Sequence, residues 1–306
     1  MECLALVSAM NADGFSSPGI RVRFGHVRLA CYSPDMEHND TDTSENTMNP
    51  VKAILLDLDE TILFDDAATE TAFAATAAHA AEAFAIEPVQ LIAAVQAQAD
   101  DLWASGPDPA WCDDLGTSSI EGLQSRFPGD DPRMVAMRAW GPGFRFQSWR
   151  RGLQACGIDN DHLARELDTL FATQRKHTNP FIPGAEAALV ELGSTFRLAM
   201  VTNGLSDVQR DKIAQSGIGS LFEVIVVSAE LGFGKPKPEI YHYTLNRLGI
   251  APDEAVMVGD NILRDVQGAQ DVGIQGVWIG EGRSPAGSDV VPDLSIRTLA
   301  ELPALL

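Results

Sequence analysis

Five short apolar runs, each cut off by a polar or glycine-bearing loop, set the architecture of this chain: residues 51–56, 198–201, 224–227, 256–258 and 276–279. Runs this short, without polar alternation, predict strands buried on both faces, as in a parallel sheet covered by helices. Helical patterns separate most of them, at 185–192, 207–216, 239–248 and 262–272. Ser206 with Gln209 reads as a capping box for the second of these helices, and Gly217 as its left-handed stop. Pro238 suits a first helical position, and Gly249 the matching end. Strand alternating with helix predicts an α/β fold built on a doubly wound parallel sheet.

The alternation fails between the first run and residue 198. That interval holds no strand candidate but carries helical patterns at 67–84, 89–103, 144–156 and 162–175, the first two rich in alanine. The expected organisation is a core of residues 48–65 and 181–306, with an α-helical cap domain of 66–180 inserted after the first strand. Residues 1–47 show no period of 2 or 3.6, and their second part is crowded with Pro34, Asp35, Glu37, Asp40 and Asp42. They are expected to be largely disordered, apart from one short strand near 20–28. Met48 stands just before the first strong run and is a candidate translation start, which the N-terminal mass of the natively expressed protein would decide.

Charge and cysteine content exclude some classes of function. A net charge of -21 argues against sequence-independent nucleic-acid binding, which rests on Lys and Arg neutralising phosphates. It leaves room for a small phosphorylated substrate, because a bound metal and a few placed cations reverse the local field. The four cysteines (Cys3, Cys31, Cys112 and Cys156) form no C-x-x-C pair, which predicts a protein of the reducing cytoplasm. The acidic Glu2 does not suit a signal peptide, and no apolar stretch reaches the length of a membrane span.

Ligands of an open parallel sheet bind at the carboxyl ends of its strands, so the residues following each run should converge. After the first come Asp57-Leu58-Asp59-Glu60-Thr61, two carboxylates suited to a nucleophile and a proton donor. After the second come Thr202-Asn203-Gly204, a hydroxyl, an amide and a glycine suited to phosphate oxygens. Gly234-Lys235-Pro236-Lys237-Pro238 follows the third and offers a lysine to neutralise a transferring phosphoryl group. Gly259-Asp260, with Asp265, follows the fourth and suits Mg2+, which prefers oxygen ligands. Each alone also reads as something plainer: a helix cap, a turn, surface lysines, a second cap. Four such signals in order, each after a predicted strand, make chance a poor explanation.

With these motifs the chain from about residue 51 to its end resembles the haloacid dehalogenase-like superfamily, in its phosphatase branch. Residues 202–241 look especially like the N-acylneuraminate phosphatases and the pyrimidine nucleotidases. The resemblance implies that Asp57 attacks phosphorus and that Asp59 protonates the leaving alcohol and then helps activate water. It implies that Thr61 braces this loop, in a phosphate-binding set with Thr202, Asn203 and Lys235. It places Mg2+ on the Asp57 carboxylate, the Asp59 backbone carbonyl and Asp260, supported by Asp265. The expected activity is hydrolysis of a small phosphorylated metabolite (a sugar phosphate, a nucleotide or a phosphoglycolate-like ester) through an aspartyl-phosphate.

Alternatives remain open at this level: a phosphomutase or phosphotransferase, a 2-haloacid dehalogenase, or a non-catalytic phosphometabolite-binding protein. Asp59 favours the phosphatase, since halide displacement has no leaving alcohol to protonate. The cap would select the substrate, with Trp111, Trp140, Arg145, Trp149 and Arg150 as candidates for contact or for packing. His79, His177 and His242 are expected on helix surfaces or ends. The segments 64–67 and 177–183 are expected hinges of the cap, and the sequence leaves monomer or homodimer open.

Overall fold

The computed structural model describes residues 50–176, 179–280 and 288–306. The expected strand near 20–28, Met48, Cys3, Cys31 and His177 lie outside the described residues.

Six strands form one parallel sheet: β1 (Ala53–Leu56), β2 (Arg197–Thr202), β3 (Val224–Val227), β4 (Ala255–Gly259), β5 (Gln275–Ile279) and β6 (Leu294–Ile296), in the order β3-β2-β1-β4-β5-β6. The central strand β1 pairs with β2 and β4 in register, Ala53 opposite both Arg197 and Ala255. Successive residues of a strand face opposite sides. Ile54 and Leu56 therefore enter one apolar layer with Met200 and Val258, while Ala53 and Leu55 enter the other with Val201 and Met257. Both faces are covered, which is why these strands read as unbroken apolar runs. β6 escapes that pattern because it has three residues and only Ile296 is buried.

The helices are α1 (Asp65–Ala83), α2 (Pro88–Ala104), α3 (Pro109–Leu115), α4 (Ser119–Gly122), α5 (Pro132–Ala155), α6 (Asp161–Lys176), α7 (Ala185–Gly193), α8 (Ser206–Ser216), α9 (Ser228–Leu231), α10 (Pro238–Leu248) and α11 (Gly268–Gln270). Gly217 and Gly249 end α8 and α10 with φ of 74° and 65°, the left-handed geometry their sequence positions predict. Three local expectations need correction. Ser206 does not cap α8: Leu205 is the capping residue, and Gln209 turns inward to the site described below. Residues 262–272 are not one regular helix, because Ile262–Gln267 forms a π-helical turn before the short α11. The helix expected at 144–156 begins at Pro132, with Asp131 accepting the Arg133 N–H, and runs through Pro142. Gly141 lets the Phe127 ring pack directly on this helix, since a Cβ there would lie 2.5 Å from it.

Of the helices between β1 and β2, α1, α2, α5 and α6 build their own apolar cluster around Phe73, Phe144, Trp149 and Phe171. The chain leaves the sheet and returns to it side by side, since Phe64 N–H donates to Pro180 C=O and Ile182 N–H to Ile62 C=O. A second seam joins α3 and the segment after α4 to the start of α8 and the end of α9. There Trp111, Leu115 and Phe127 pack on Leu205 and Val208, and Trp111 Nε1 donates to the Gly232 carbonyl. The helical layer thus closes over the carboxyl ends of the strands. No helix among the described residues is long and apolar enough to cross a membrane.

Candidate active site

β1 ends against a sharp reversal. Asp57 N–H donates to Val258 C=O, and Leu63 N–H returns to Leu58 C=O. Glu60 takes a φ of 53°, uncommon for a side-chain-bearing residue, which folds the loop tightly enough to present both Asp57 and Asp59 to one cleft. Thr61 lies inside this turn, fully buried, and its hydroxyl has no hydrogen-bond partner among the described residues.

Lys235 ties the loop to the π-helical turn that follows β4. Its Nζ lies 2.7 Å from Asp57 Oδ1 and 2.6 Å from Asp265 Oδ1. Burial opposes the charge of this lysine, but Asp265 and Asp57 outweigh it and hold the ammonium protonated. Asn203 fixes the lysine from behind, its amide donating to Lys235 C=O and accepting from Lys235 N–H, both at 2.8 Å. The Asn203 side chain thus braces the lysine loop and at the same time lines the cleft. Thr202 accepts from Gln209 Nε2 at 2.6 Å.

Asp57, Asp260 and Asp265 offer carboxylate oxygens that all lie within 4.8 Å of one another. Three carboxylates share this space with the ammonium of Lys235, and the imbalance appears in the proton affinities of Asp260 and Asp57. Burial, then the charges of Asp57 and Asp265, push the Asp260 carboxyl up to about 8. Burial likewise raises Asp57 to about 6, against the pull of Lys235. A hard divalent cation among oxygen donors would relieve that repulsion, so the residues fit Mg2+. Asp265 is already engaged on both oxygens, by Lys235 Nζ and by Asn261 N–H at 2.9 Å, which leaves Asp57 and Asp260 better placed as direct ligands.

Sequence reasoning missed three residues. Lys212 is 4 % exposed, and its Nζ lies 2.9 and 3.0 Å from the two oxygens of Asp59. Gln209 donates to Asp59 Oδ2 at 2.9 Å. Glu121, from α4, accepts the Leu205 N–H at 3.1 Å, and burial raises its carboxyl to about 7. A signal for the first two exists: Leu205, Gln209 and Lys212 share the face of α8 that also buries Val208, so polar residues stand on an apolar stripe. Glu121 had only its capping box with Ser118 to mark it.

The cleft, about 310 Å³, is lined by Asp57, Asp59, Lys212, Lys235, Asp260 and Arg264 from below and by Gly116, Ser118 and Glu121 from α3 and α4. None of Trp111, Trp140, Arg145, Trp149 and Arg150 is among its described lining residues. Trp149 is buried between Phe73 and Phe171, Trp140 stacks on Phe144, Arg145 bonds Ser125 C=O and Arg150 pairs with Asp161. His79 pairs with Glu166 on the helix surface, and His242 is exposed.

Residues 51–273 match the family model described as haloacid dehalogenase-like hydrolase. The chain is 35 % identical over 254 residues to a phosphoserine phosphatase of Thermus thermophilus, covering 82 % of this chain and 98 % of the relative. It is 36 % identical over 166 residues to the N-acylneuraminate-9-phosphatase of Mus musculus, covering 53 % of this chain and 67 % of the relative. Among solved structures, the fold superposes on the HAD-hydrolase YfnB of Bacillus subtilis, bound to magnesium. That match has a TM-score of 0.58 and 22 % identity, and covers 83 % of this chain and 97 % of the other.

Proposed function

The chain belongs to the haloacid dehalogenase-like hydrolases, and from that premise we propose that it is a Mg2+-dependent phosphatase of a small phosphorylated metabolite. The observation that carries this reading is the pairing of Asp57, held by Lys235 at 2.7 Å, with Asp59 two residues on, both facing one cleft. A phosphoryl group needs an in-line nucleophile, balancing positive charge and a proton for the leaving oxygen, and catalysis is chiefly their positioning.

In the proposed reaction an Asp57 oxygen attacks phosphorus and the bond to the ester oxygen breaks, while Asp59 gives that oxygen its proton. Asp59 then takes a proton from the water that hydrolyses the aspartyl-phosphate. Lys235 offsets the charge of Asp57 and the phosphoryl group. Thr202 serves the phosphate oxygens, and Asn203 keeps the lysine loop in place. Mg2+, held by Asp57 and Asp260 with Asp265 behind them, would supply Lewis-acid stabilisation of the phosphoryl oxygens. The hydrogen-bonded crossing at Phe64 and Pro180 is the proposed hinge on which the helical layer opens and closes over the cleft. The phosphatase names of two relatives add support, and the substrate class stays at small phosphate monoesters.

The test is phosphate release from phosphoserine, sugar phosphates, nucleotides and phosphoglycolate, with Mg2+ and with EDTA, beside Asp57→Asn. Metal-dependent release that Asp57→Asn abolishes is the expected result. Release from no ester, or release that survives the loss of Asp57, would overturn the reading.

A further inference from the structure

Three cations line the cleft, and two of them are already paired. Lys235 lies between Asp57 and Asp265, and Lys212 between Asp59 and Asp65. The third, Arg264, makes no ion pair among the described residues. Its backbone is fixed: its N–H donates to Asn261 Oδ1 at 3.0 Å, and its C=O accepts from the Tyr241 hydroxyl. Both bonds belong to the π-helical turn Ile262–Gln267, a geometry frequent at functional sites. The guanidinium comes up against Gly116 at the end of α3, where a Cβ would lie 3.1 Å from its Nη1.

The remaining lining carries the opposite sign. Beyond the groups assigned to phosphate and metal, the cleft presents Glu60, Asp66 and Glu121. A neighbouring cavity of about 340 Å³ shares Asp65, Asp66, Ser118 and Glu121 with the cleft and adds Glu70, with no lysine or arginine among its described lining residues. Glu121 accepts from the N–H groups of Leu205 and Ser118. Asp66 has no ion-pair partner among the described residues, so the cleft holds an unpaired arginine and an unpaired carboxylate that do not meet each other. A ligand lying between them would have to bring both counter-charges. We propose that the cleft selects phosphate monoesters whose alcohol carries an ammonium and a carboxylate, that is, O-phosphorylated α-amino acids. Arg264 takes the carboxylate, through the two parallel N–H bonds its fork allows, and Asp66 and Glu121 take the ammonium. This inference rests on the phosphatase reading and names its substrate class. A site built around such polar groups rejects an analogue that leaves one of them unpaired, a stronger filter than shape alone.

The experiment measures kcat and KM of the full chain with Mg2+ on three esters of similar size. These are O-phosphoserine, phosphoethanolamine, which lacks the carboxylate, and 3-phosphoglycerate, which carries a hydroxyl in place of the ammonium. Each analogue should fall below O-phosphoserine in kcat/KM by about tenfold or more, the worth of one charged hydrogen bond. Arg264→Ala should raise KM for O-phosphoserine about ten- to hundredfold and for phosphoethanolamine far less. Asp66 is exposed, so Asp66→Asn spares the fold. It should raise KM about three- to fivefold for the two amines, as for an exposed ion pair, and less for 3-phosphoglycerate. The wild-type ranking carries the test if Arg264→Ala does not fold. Equal kcat/KM on the three esters, or variants that weaken all three alike, would overturn the proposal and leave the phosphatase reading standing. Turnover of sugar phosphates or nucleotides but of none of these three would do the same. Release from no ester at all would overturn both.

Discussion

The ammonium of Lys235 is bonded to Asp265 Oδ1 at 2.6 Å, and Asp265 is wholly buried, whereas the Asp57 carboxylate that Lys235 meets at 2.7 Å faces the cleft. One cation therefore anchors a structural carboxylate and presents a reactive one. The two duties predict a variant with two separable defects.

Lys235→Met removes the partner of Asp265 and leaves a buried carboxylate unpaired, a change that typically costs about 3–5 kcal/mol. The melting temperature should fall markedly in EDTA and recover in part with Mg2+, which replaces some of the lost positive charge. Phosphatase activity should not return with it, because the charge facing Asp57 is gone. Thermal melting and turnover, each with and without Mg2+, check this. An unchanged melting point in EDTA would contradict the anchoring role.

Acidity should act on the metal-free protein in an unusual direction. Folded Asp260 keeps its proton to about pH 8 and Asp57 to about 6, against 3.8 for an unperturbed aspartate, and burial is the first cause in both. Glu121, raised mainly by burial to about 7, adds in the same sense. Between about pH 4 and 8 the folded chain then binds more protons than the unfolded one, so stability falls as pH rises. Mg2+ competes with those protons and should raise the melting temperature more near pH 8 than near pH 5. A Mg2+ increment that is equal at both, or absent, would remove Asp260 and Asp57 as its ligands.

Much of this site is legible in the sequence because catalytic groups of a parallel sheet must follow its strands. Asp57, Asp59, Lys235 and Asp260 each stand in a loop that an apolar run announces, and Thr202 closes the run of β2 itself. Lys212 and Gln209 are harder, since they lie within a helix, where only their place on the apolar stripe of α8 marks them. Gln209 drew a false capping box for the same reason: its spacing from Ser206 fits a helix start, but its amide is used by Asp59 and Thr202. The helix expected at 144–156 starts at Pro132, because α5 continues through Gly141, Pro142 and Gly143. The sixth strand is too short to leave an apolar run.

Two glycines should respond to alanine in opposite ways. A Cβ on Gly259 would fall 2.2 Å from Asp265 Oδ2 and 2.3 Å from its Cγ, inside a side chain with no room to retreat. Gly259→Ala should destabilise by about 1–3 kcal/mol and loosen Mg2+ binding, because Asp265 must shift from Lys235 and Asn261. Gly143, exposed inside α5, meets nothing within 4 Å, and Gly143→Ala should stabilise by about 0.5–1 kcal/mol through reduced chain entropy. Chemical denaturation of both, with Mg2+ titration of the first, decides.

Trp149 separates packing from recognition in the helical layer. It is fully buried, its ring centroid 6.1 Å from that of Phe73 and 5.8 Å from that of Phe171, and it does not line the cleft. Its Nε1 has no hydrogen-bond partner among the described residues, so replacement by phenylalanine strands no partner and removes a buried donor. Trp149→Phe should shift the melting temperature and leave KM within twofold of wild type, on the order of experimental scatter. Arg264 and Ser118 do line the cleft. If the arginine meets the anionic end of the substrate, Arg264→Ala forfeits a charged hydrogen bond of about 1.5–3 kcal/mol and raises KM about ten- to hundredfold. Steady-state kinetics on the best ester found settles both. A KM that moves with Trp149→Phe and not with Arg264→Ala would place recognition inside the helical layer instead of at the cleft.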